Sequence, residues 1–95
     1  MGAVMWTLDA EAVQWHLVEG EVMALDVARR EYFAVDGSGA LLWSRLAEGA
    51  SEQSLAADVV AAYGVDAGTA ATDVALFVRE LRDRRLLKAH RPDSR

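Results

Sequence analysis

The fold of this chain is decided by one stretch, Glu31-Tyr-Phe-Ala-Val-Asp-Gly-Ser-Gly-Ala-Leu-Leu-Trp-Ser-Arg-Leu46. Its first five residues are rich in aromatic and aliphatic side chains and predict a strand over 31–35. The following Asp-Gly-Ser-Gly predicts a sharp turn, and Asp36 or Ser38 can accept hydrogen bonds from the free N–H groups of a helix. Apolar spacing then continues through Gly39, Leu42, Trp43 and Leu46. The stretch therefore predicts a strand that leads directly into a helix.

Two further β-rich runs precede this stretch. Residues 13–18 and 21–27 are joined by Glu19-Gly20, and Ala28-Arg29-Arg30 leads into the next strand. These short turns predict an antiparallel meander of three strands. Such a small sheet must cover one face with helices, and its outer strands stay unpaired unless something joins them.

Two more helices are predicted after the first. Ser51 is placed to cap the second helix and Gly64 to end it, with Leu55, Val59 and Ala62 on one face. A third helix over about 69 to 85 carries an apolar stripe, and Leu76 lies opposite that stripe and is expected to be exposed. The stripe consists of Val74, Phe77, Val78 and Leu81. The fold class is therefore α+β, a three-stranded antiparallel sheet followed by three helices.

Length and composition limit the kind of protein this can be. Ninety-five residues predict one domain with a modest core, and 53% apolar with 26% charged residues is typical of a folded chain. Without cysteine there is no disulfide or thiolate ligand, so packing alone must stabilise the fold. No window resembles a signal peptide or membrane span, and we expect a soluble cytoplasmic protein without a membrane partner.

The net charge of −5 is unevenly distributed. Residues 79–95 carry seven bases and three acids, whereas residues 1–78 carry three bases and twelve acids. The basic end complements the negative end of the last helix, and the overall acidic field disfavours nucleic acid as a partner.

No catalytic or metal-binding constellation is apparent in the sequence. His16 and His90 are far apart and lack ligand spacing to other side chains. Asp36-Gly-Ser-Gly39 lacks both the alternating oxygen ligands of a calcium loop and the lysine of a phosphate loop. We therefore expect no enzyme activity, no cofactor and no metal.

Two tryptophans differ in how well their surroundings can be predicted. Trp43 lies on the stripe of the first helix, so we expect it in the core, with its indole N–H near the rim and hydrogen-bonded. Trp15 could pack on the second face of the sheet or lie in a dimer contact, and the sequence does not decide between these.

Over about residues 13–88 the chain resembles the PqqD-like family of peptide-recognition domains, also called RiPP recognition elements. The matching residues are Leu25-Asp26, Tyr32-Phe33, Gly39-Ala-Leu-Leu-Trp43, Leu46, Ser51 with Leu55, and Asp73-Val74, Phe77, Leu81 and Leu86-Leu87. The family often has Leu-Asn where Val35-Asp36 stands, and glycine at the positions of Arg30 and Arg85. Without glycine at 85, the last helix could extend past that residue. The resemblance implies a winged-helix-like domain over 13–88, after an N-terminal segment, 1–12, of undecided structure and before a disordered tail, 89–95.

Members of this family bind the leader segment of a ribosomally made precursor peptide as a strand added to strand three, against the last helix. The resemblance thus implies an edge of Glu31, Tyr32, Phe33, Ala34, Val35 and Asp36, a wall of Val74, Phe77, Val78 and Leu81, and a rim of Asp73, Glu80 and Arg84. The chain is most similar to leader-binding subunits of lasso-peptide biosynthesis. That similarity implies two further partners, a leader peptidase that is a cysteine protease subunit and an ATP-dependent cyclase.

Three alternatives stay open at this point. One is a peptide chaperone of pyrroloquinoline quinone synthesis, which would partner a radical-SAM enzyme. Another is a winged-helix DNA-binding protein whose last helix presents Arg79, Arg82, Arg84 and Arg85. The last is a domain with only a structural or dimerising role.

Overall fold

A three-stranded sheet, three helices and a separate pair of short strands make up the part of the chain that the computed structural model describes, residues 4–90. In chain order the elements are β1 Met5–Leu8, β2 Val13–Val18, β3 Glu21–Asp26, β4 Glu31–Val35, α1 Gly37–Glu48, α2 Glu52–Tyr63, α3 Ala67–Asp83 and β5 Leu87–His90. The predicted α+β order of three strands followed by three helices is confirmed. The last five residues of the predicted tail, 91–95, lie outside the described residues.

The central sheet is an antiparallel meander in the order β2-β3-β4. Because side chains alternate along a strand, one face carries the buried residues Val22 and Ala24 of β3, and helices pack against this inner face. Phe33 and Val35 point to the same face, whereas Tyr32 points away from it. The opposite face of the sheet has no helix against it among the described residues.

The two ends of the described chain are tied together by pairing. β1 is antiparallel to β5 from Met5 opposite His90 to Leu8 opposite Leu87. The predicted tail is therefore wrong for Ala89 and His90, because β1 provides partners for the backbone groups of this segment. A four-residue strand whose partner lies some eighty residues away leaves no local pattern in the sequence.

The core lies between the inner face of the sheet and the three helices. The buried residues of the helices are Ala40, Leu42, Trp43 and Leu46 of α1, Leu55 and Val59 of α2, and Ala70, Val74, Val78 and Leu81 of α3. Ala62, expected on the buried face of α2, is exposed, while Leu76 is exposed as predicted. No helix within residues 4–90 is long and apolar enough to cross a membrane.

Side chains cap the starts of α2 and α3, whereas α1 begins after Asp36 without the side-chain capping hydrogen bond that was predicted there. The Ser54 N–H donates to Ser51 Oγ at 3.1 Å, as predicted for the start of α2. α3 starts two residues earlier than predicted because Asp66 caps it and accepts from the Thr69 hydroxyl and N–H and the Gly68 N–H. These hydrogen bonds, that of the Thr69 hydroxyl first, lower the pKa of Asp66. The cap therefore weakens only as the pH falls through this lowered pKa.

α3 ends at Asp83, two residues before the predicted end. Arg85 takes a left-handed backbone conformation with φ of 61°, and the Leu86 N–H donates to the Leu81 carbonyl at 2.9 Å. Arg30, before β4, is also left-handed, with φ of 57°. Glycine often stands at both positions in the family pattern, whereas here arginine takes the left-handed conformation. A side chain in this conformation costs about 1 kcal/mol.

Replacing Arg85 with glycine should therefore leave the free energy of unfolding unchanged or raise it by up to about 1 kcal/mol, because the backbone strain is removed. Arg79→Gly is the matched control: it places the same change in the exposed middle of α3 and should cost about 1 kcal/mol. Chemical denaturation of both variants measures the difference. If both variants lost the same free energy of unfolding, the backbone strain at Arg85 would be contradicted.

Candidate functional site

The outer edge of β4 is open. β4 pairs with β3 on one side, and within the described residues nothing pairs with its other side. Phe33 and Val35 are half-buried on the inner face, while Tyr32 and Ala34 are exposed on the other face. An unpaired edge with free N–H and C=O groups is a template for another strand.

Close packing at Gly39 brings the end of β4 near α3. A Cβ atom at Gly39 would lie 2.6 Å from Val35 Cγ1 and 3.5 Å from Phe77 Cε1. The first distance is too short for any side chain, so glycine is needed where α1 passes beneath these two residues. Val35 of β4 and Phe77 of α3 thus both lie against α1 at Gly39.

Phe33, in the middle of β4, contacts both the core and the end of α3. Its ring contacts Trp43 edge-on, with the ring centres 5.7 Å apart, and Trp43 contacts Trp15 in the same way at 6.1 Å. From the end of α3, the guanidinium carbon of Arg84 lies 5.4 Å from the centre of the Phe33 ring. The expectation for the Trp43 indole was wrong, since its Nε1 is buried and has no hydrogen-bond partner.

Charged side chains of both signs surround the end of this region nearest the start of β4. They line a depression of about 340 Å³ and are Arg29, Glu31, Glu80, Asp83 and Arg84. Sequence reasoning found three of these and missed Arg29 and Asp83. Asp83 could have been found, because it follows Glu80 by three residues on the same helix face. The position of Arg29 could not be predicted in this way, because it is set by the turn before β4, where its guanidinium pairs with the carboxylate of the buried Asp26 at 3.3 Å.

The helix wall is narrower than predicted. Val74, Val78 and Leu81 are 0%, 0% and 5% exposed and belong to the core. Of the four predicted wall residues only Phe77 is half-buried and not buried, because it lies at the margin of the buried stripe. Asp36 and Asp73 are exposed, and no hydrogen bond or ion pair joins either side chain to the other predicted residues.

These features make up one candidate binding surface, called the groove from here on and defined by the open edge of β4, Phe33, Val35, Phe77 and Arg84. It offers backbone donors and acceptors, apolar and aromatic surface, and charges of both signs at one end. Within residues 4–90 no group of three or more His, Asp or Glu side chains is arranged to hold a metal ion. A sheet edge beside an apolar helix margin is the geometry of a recognition domain for extended peptides.

Comparison with known proteins identifies the family. The chain belongs to the PqqD family, described as coenzyme PQQ synthesis protein D, whose family model matches residues 21–87, and it is a PqqD-like RiPP recognition element. It is similar to the solved structure of TbiB1 in complex with the TbiA(beta) leader peptide, with 30% identity and a TM-score of 0.79 over 86% of this chain and 94% of that one.

A second solved structure has the same fold. It is lasso peptide synthetase B1 complexed with the leader peptide, with 23% identity and a TM-score of 0.75 over 87% of this chain and 96% of that one. The comparison with curated proteins returned no match.

The packing at Gly39 can be tested with alanine. Gly39→Ala should lower the free energy of unfolding by about 1–3 kcal/mol, because the methyl group would overlap Val35. Gly68→Ala is the control in the first turn of α3, where the nearest neighbour of a Cβ is 3.7 Å away, and it should be neutral or stabilising. Urea denaturation measures both, and a neutral Gly39→Ala variant would contradict the close approach.

Proposed function

We propose that this chain binds the leader segment of a ribosomally synthesised precursor peptide and presents it to a separate leader peptidase of the cysteine-protease type. The observation that carries the proposal is the open edge of β4 beside Phe77 and Arg84. The similarity to TbiB1, solved with a leader peptide, supports it. In this role the chain is an adaptor without catalytic activity in the cytoplasm, and an ATP-dependent cyclase acts on the released core peptide.

Binding would combine two contributions. The backbone of β4 contributes hydrogen bonds to any extended peptide, which gives affinity with little sequence preference. Every second leader side chain would then face the groove, where Val35 and Phe77 contact apolar residues and Arg84 contacts aromatic or acidic ones. Selection among leaders thus depends on a few side chains at the α3 margin.

One alternative shares the same groove. The family is described by coenzyme PQQ synthesis protein D, so the chain could serve a precursor of that cofactor and partner a radical-SAM enzyme. The two functions differ in the precursor bound and not in the mode of binding. Titrating both leaders against the same protein by fluorescence anisotropy separates them.

DNA binding has less support. Two of the four arginines at the end of α3 are engaged with aromatic rings, since Arg82 lies 4.7 Å from the Trp6 ring and Arg84 lies over Phe33. The net charge of −5 also opposes approach to phosphates. Duplex DNA is therefore the negative control in the anisotropy titration, and tight DNA binding without leader binding would overturn the proposal.

Strand addition makes a prediction about the backbone of β4. Alternate N–H groups of β4 point to the open edge and should exchange quickly with solvent in the free protein. Saturating leader should slow their exchange at least about tenfold, because each gains a hydrogen-bond partner. Amide exchange followed by NMR measures this, with the outer edge of β2 as the internal control. Protection at β2 and not at β4 would assign the leader to the outer edge of β2 and contradict strand addition at β4.

Phe77 tests the side-chain contribution. Phe77→Ala should weaken leader binding at least about tenfold, a loss of about 1.4 kcal/mol, because the leader loses its apolar contact on α3. Trp6→Ala removes another half-buried aromatic ring, on β1, and should lower the melting temperature without changing leader affinity. If Phe77→Ala behaves in the same way as the Trp6 variant, Phe77 has only a structural role.

A further inference from the structure

The charged end of the groove contains more carboxylates than bases. The five side chains that line its depression are Arg29, Glu31, Glu80, Asp83 and Arg84. All three acidic residues among them are exposed. Because Glu31 is the first residue of β4, a peptide strand added along the whole open edge must pass this depression.

Both arginines of the depression are engaged by other groups. The Arg29 guanidinium lies 3.3 Å from the carboxylate of Asp26, whose side chain is 2% exposed, and the Arg29 backbone N–H donates to the same carboxylate at 3.2 Å. The guanidinium carbon of Arg84 lies 5.4 Å from the centre of the Phe33 ring, toward the middle of β4. Neither arginine is therefore placed to neutralise the acids that surround it.

The three carboxylates lack a counter-charge in the described part of the chain. Within residues 4–90, no ion pair joins Glu31, Glu80 or Asp83 to a basic side chain. The residue directly opposite Glu31 across the sheet is another acid, Asp26. Since cross-strand pairs are stabilised by opposite charges, a basic residue on an added strand would be the first favourable neighbour of Glu31 in the sheet.

Strand periodicity places Glu31 in one row with the apolar residues of the groove. Side chains alternate along a strand, so Glu31, Phe33 and Val35 share the inner face of β4. The groove-facing side chains of an added strand also recur at every second residue, about 6.8 Å apart. One of them therefore lies beside Glu31 when the next two lie beside the aromatic and aliphatic residues.

The end of α3 adds carboxylates on a second side of the same position. Glu80 and Asp83 are three residues apart and share one face of the helix. Both line the depression together with Glu31, so a basic side chain there would meet acids from the strand and from the helix. Exposed ion pairs contribute little to affinity, but they discriminate strongly against a ligand of the wrong sign.

We propose that the charged end of the groove selects leaders that carry a lysine or arginine on the groove-facing side of the bound strand, two residues from an apolar side chain. This inference rests on the proposed function and adds the chemistry that this end of the groove recognises. An acidic residue at the same leader position would meet three carboxylates, and such leaders are rejected.

Charge reversal on both partners provides the test. The probe is the fluorescently labelled leader of the precursor peptide encoded nearest to this chain, together with variants in which each lysine or arginine is changed to glutamate in turn. Glu80→Lys reverses one carboxylate of the depression from the helix, and Glu31→Lys does so from the strand. Glu48→Lys is the matched control, since it makes the same change at an exposed residue at the other end of α1 from Gly39. Anisotropy titrations measure Kd at low and at high salt.

We expect Glu80→Lys and Glu31→Lys each to weaken leader binding at least about fivefold at low salt and less at high salt, because salt screens exposed charges. Glu48→Lys should leave Kd within twofold of the unaltered protein. One leader variant, with glutamate in place of the contacting base, should bind the unaltered protein more weakly and should regain affinity with Glu80→Lys.

Two results would overturn this selectivity while keeping the proposed function. One is a leader that binds the unaltered protein without any lysine or arginine two residues from an apolar side chain. The other is a set of reversals in which the two groove variants match Glu48→Lys, or in which no leader variant restores the affinity they lose. Absence of leader binding by the unaltered protein would overturn both the selectivity and the proposed function.

Discussion

The fully buried Trp43 is the contact on which the rest of this domain depends. Its indole lies on the inner face of the sheet and meets Trp15 of β2 and Phe33 of β4 edge-on, so one side chain of α1 joins both outer strands. Each such aromatic pair contributes about 0.5–1.5 kcal/mol beyond the area it buries. The buried Nε1 without a hydrogen-bond partner costs about 1–3 kcal/mol, as much as the two aromatic pairs contribute together.

This anchoring explains how an edge strand can remain open and still be well ordered. β4 has hydrogen bonds on one side only, yet Phe33 is held by Trp43, and Val35 is packed against α1 at Gly39. The strand is therefore positioned by side chains on its inner face and not by a second neighbour. The backbone groups of its outer edge are left free. Because β4 is already ordered, adding a peptide strand there costs the domain little conformational entropy.

Much of the fold could be predicted because its signals are local. Turn residues and β-rich composition located the three central strands to within one residue, and Ser51 and Gly64 marked the ends of α2 correctly. The pairing of β1 with β5 could not be predicted, since it depends on contacts between the two ends of the described chain. The end of α3 was misplaced because a left-handed arginine has no sequence signature.

The candidate site was predicted less completely for a related reason. Helical periodicity shows which residues of α3 share a stripe, but it does not show where the buried part of that stripe ends. Val74, Val78 and Leu81 turned out to be core, and Phe77 alone lies at the margin. The charged end of the groove depends on the turn before β4, where the carboxylate of the buried Asp26 accepts from the Arg29 N–H at 3.2 Å.

The distribution of charge along the groove has a consequence for orientation. Backbone hydrogen bonding to an edge strand is available to parallel and antiparallel peptides alike, so it cannot select direction strongly. The two ends of this groove differ, however: one is apolar at Val35 and Phe77, and the other is charged around Glu31 and Arg84. A peptide with an apolar segment on one side of a charged one can satisfy both ends in one direction only. The reversed peptide would leave charged side chains against apolar surface, a desolvation cost that removes affinity without any steric clash. Under the proposed function, the direction of the bound peptide would thus depend on the side chains at the two ends of the groove, while the strand edge would contribute affinity in either direction.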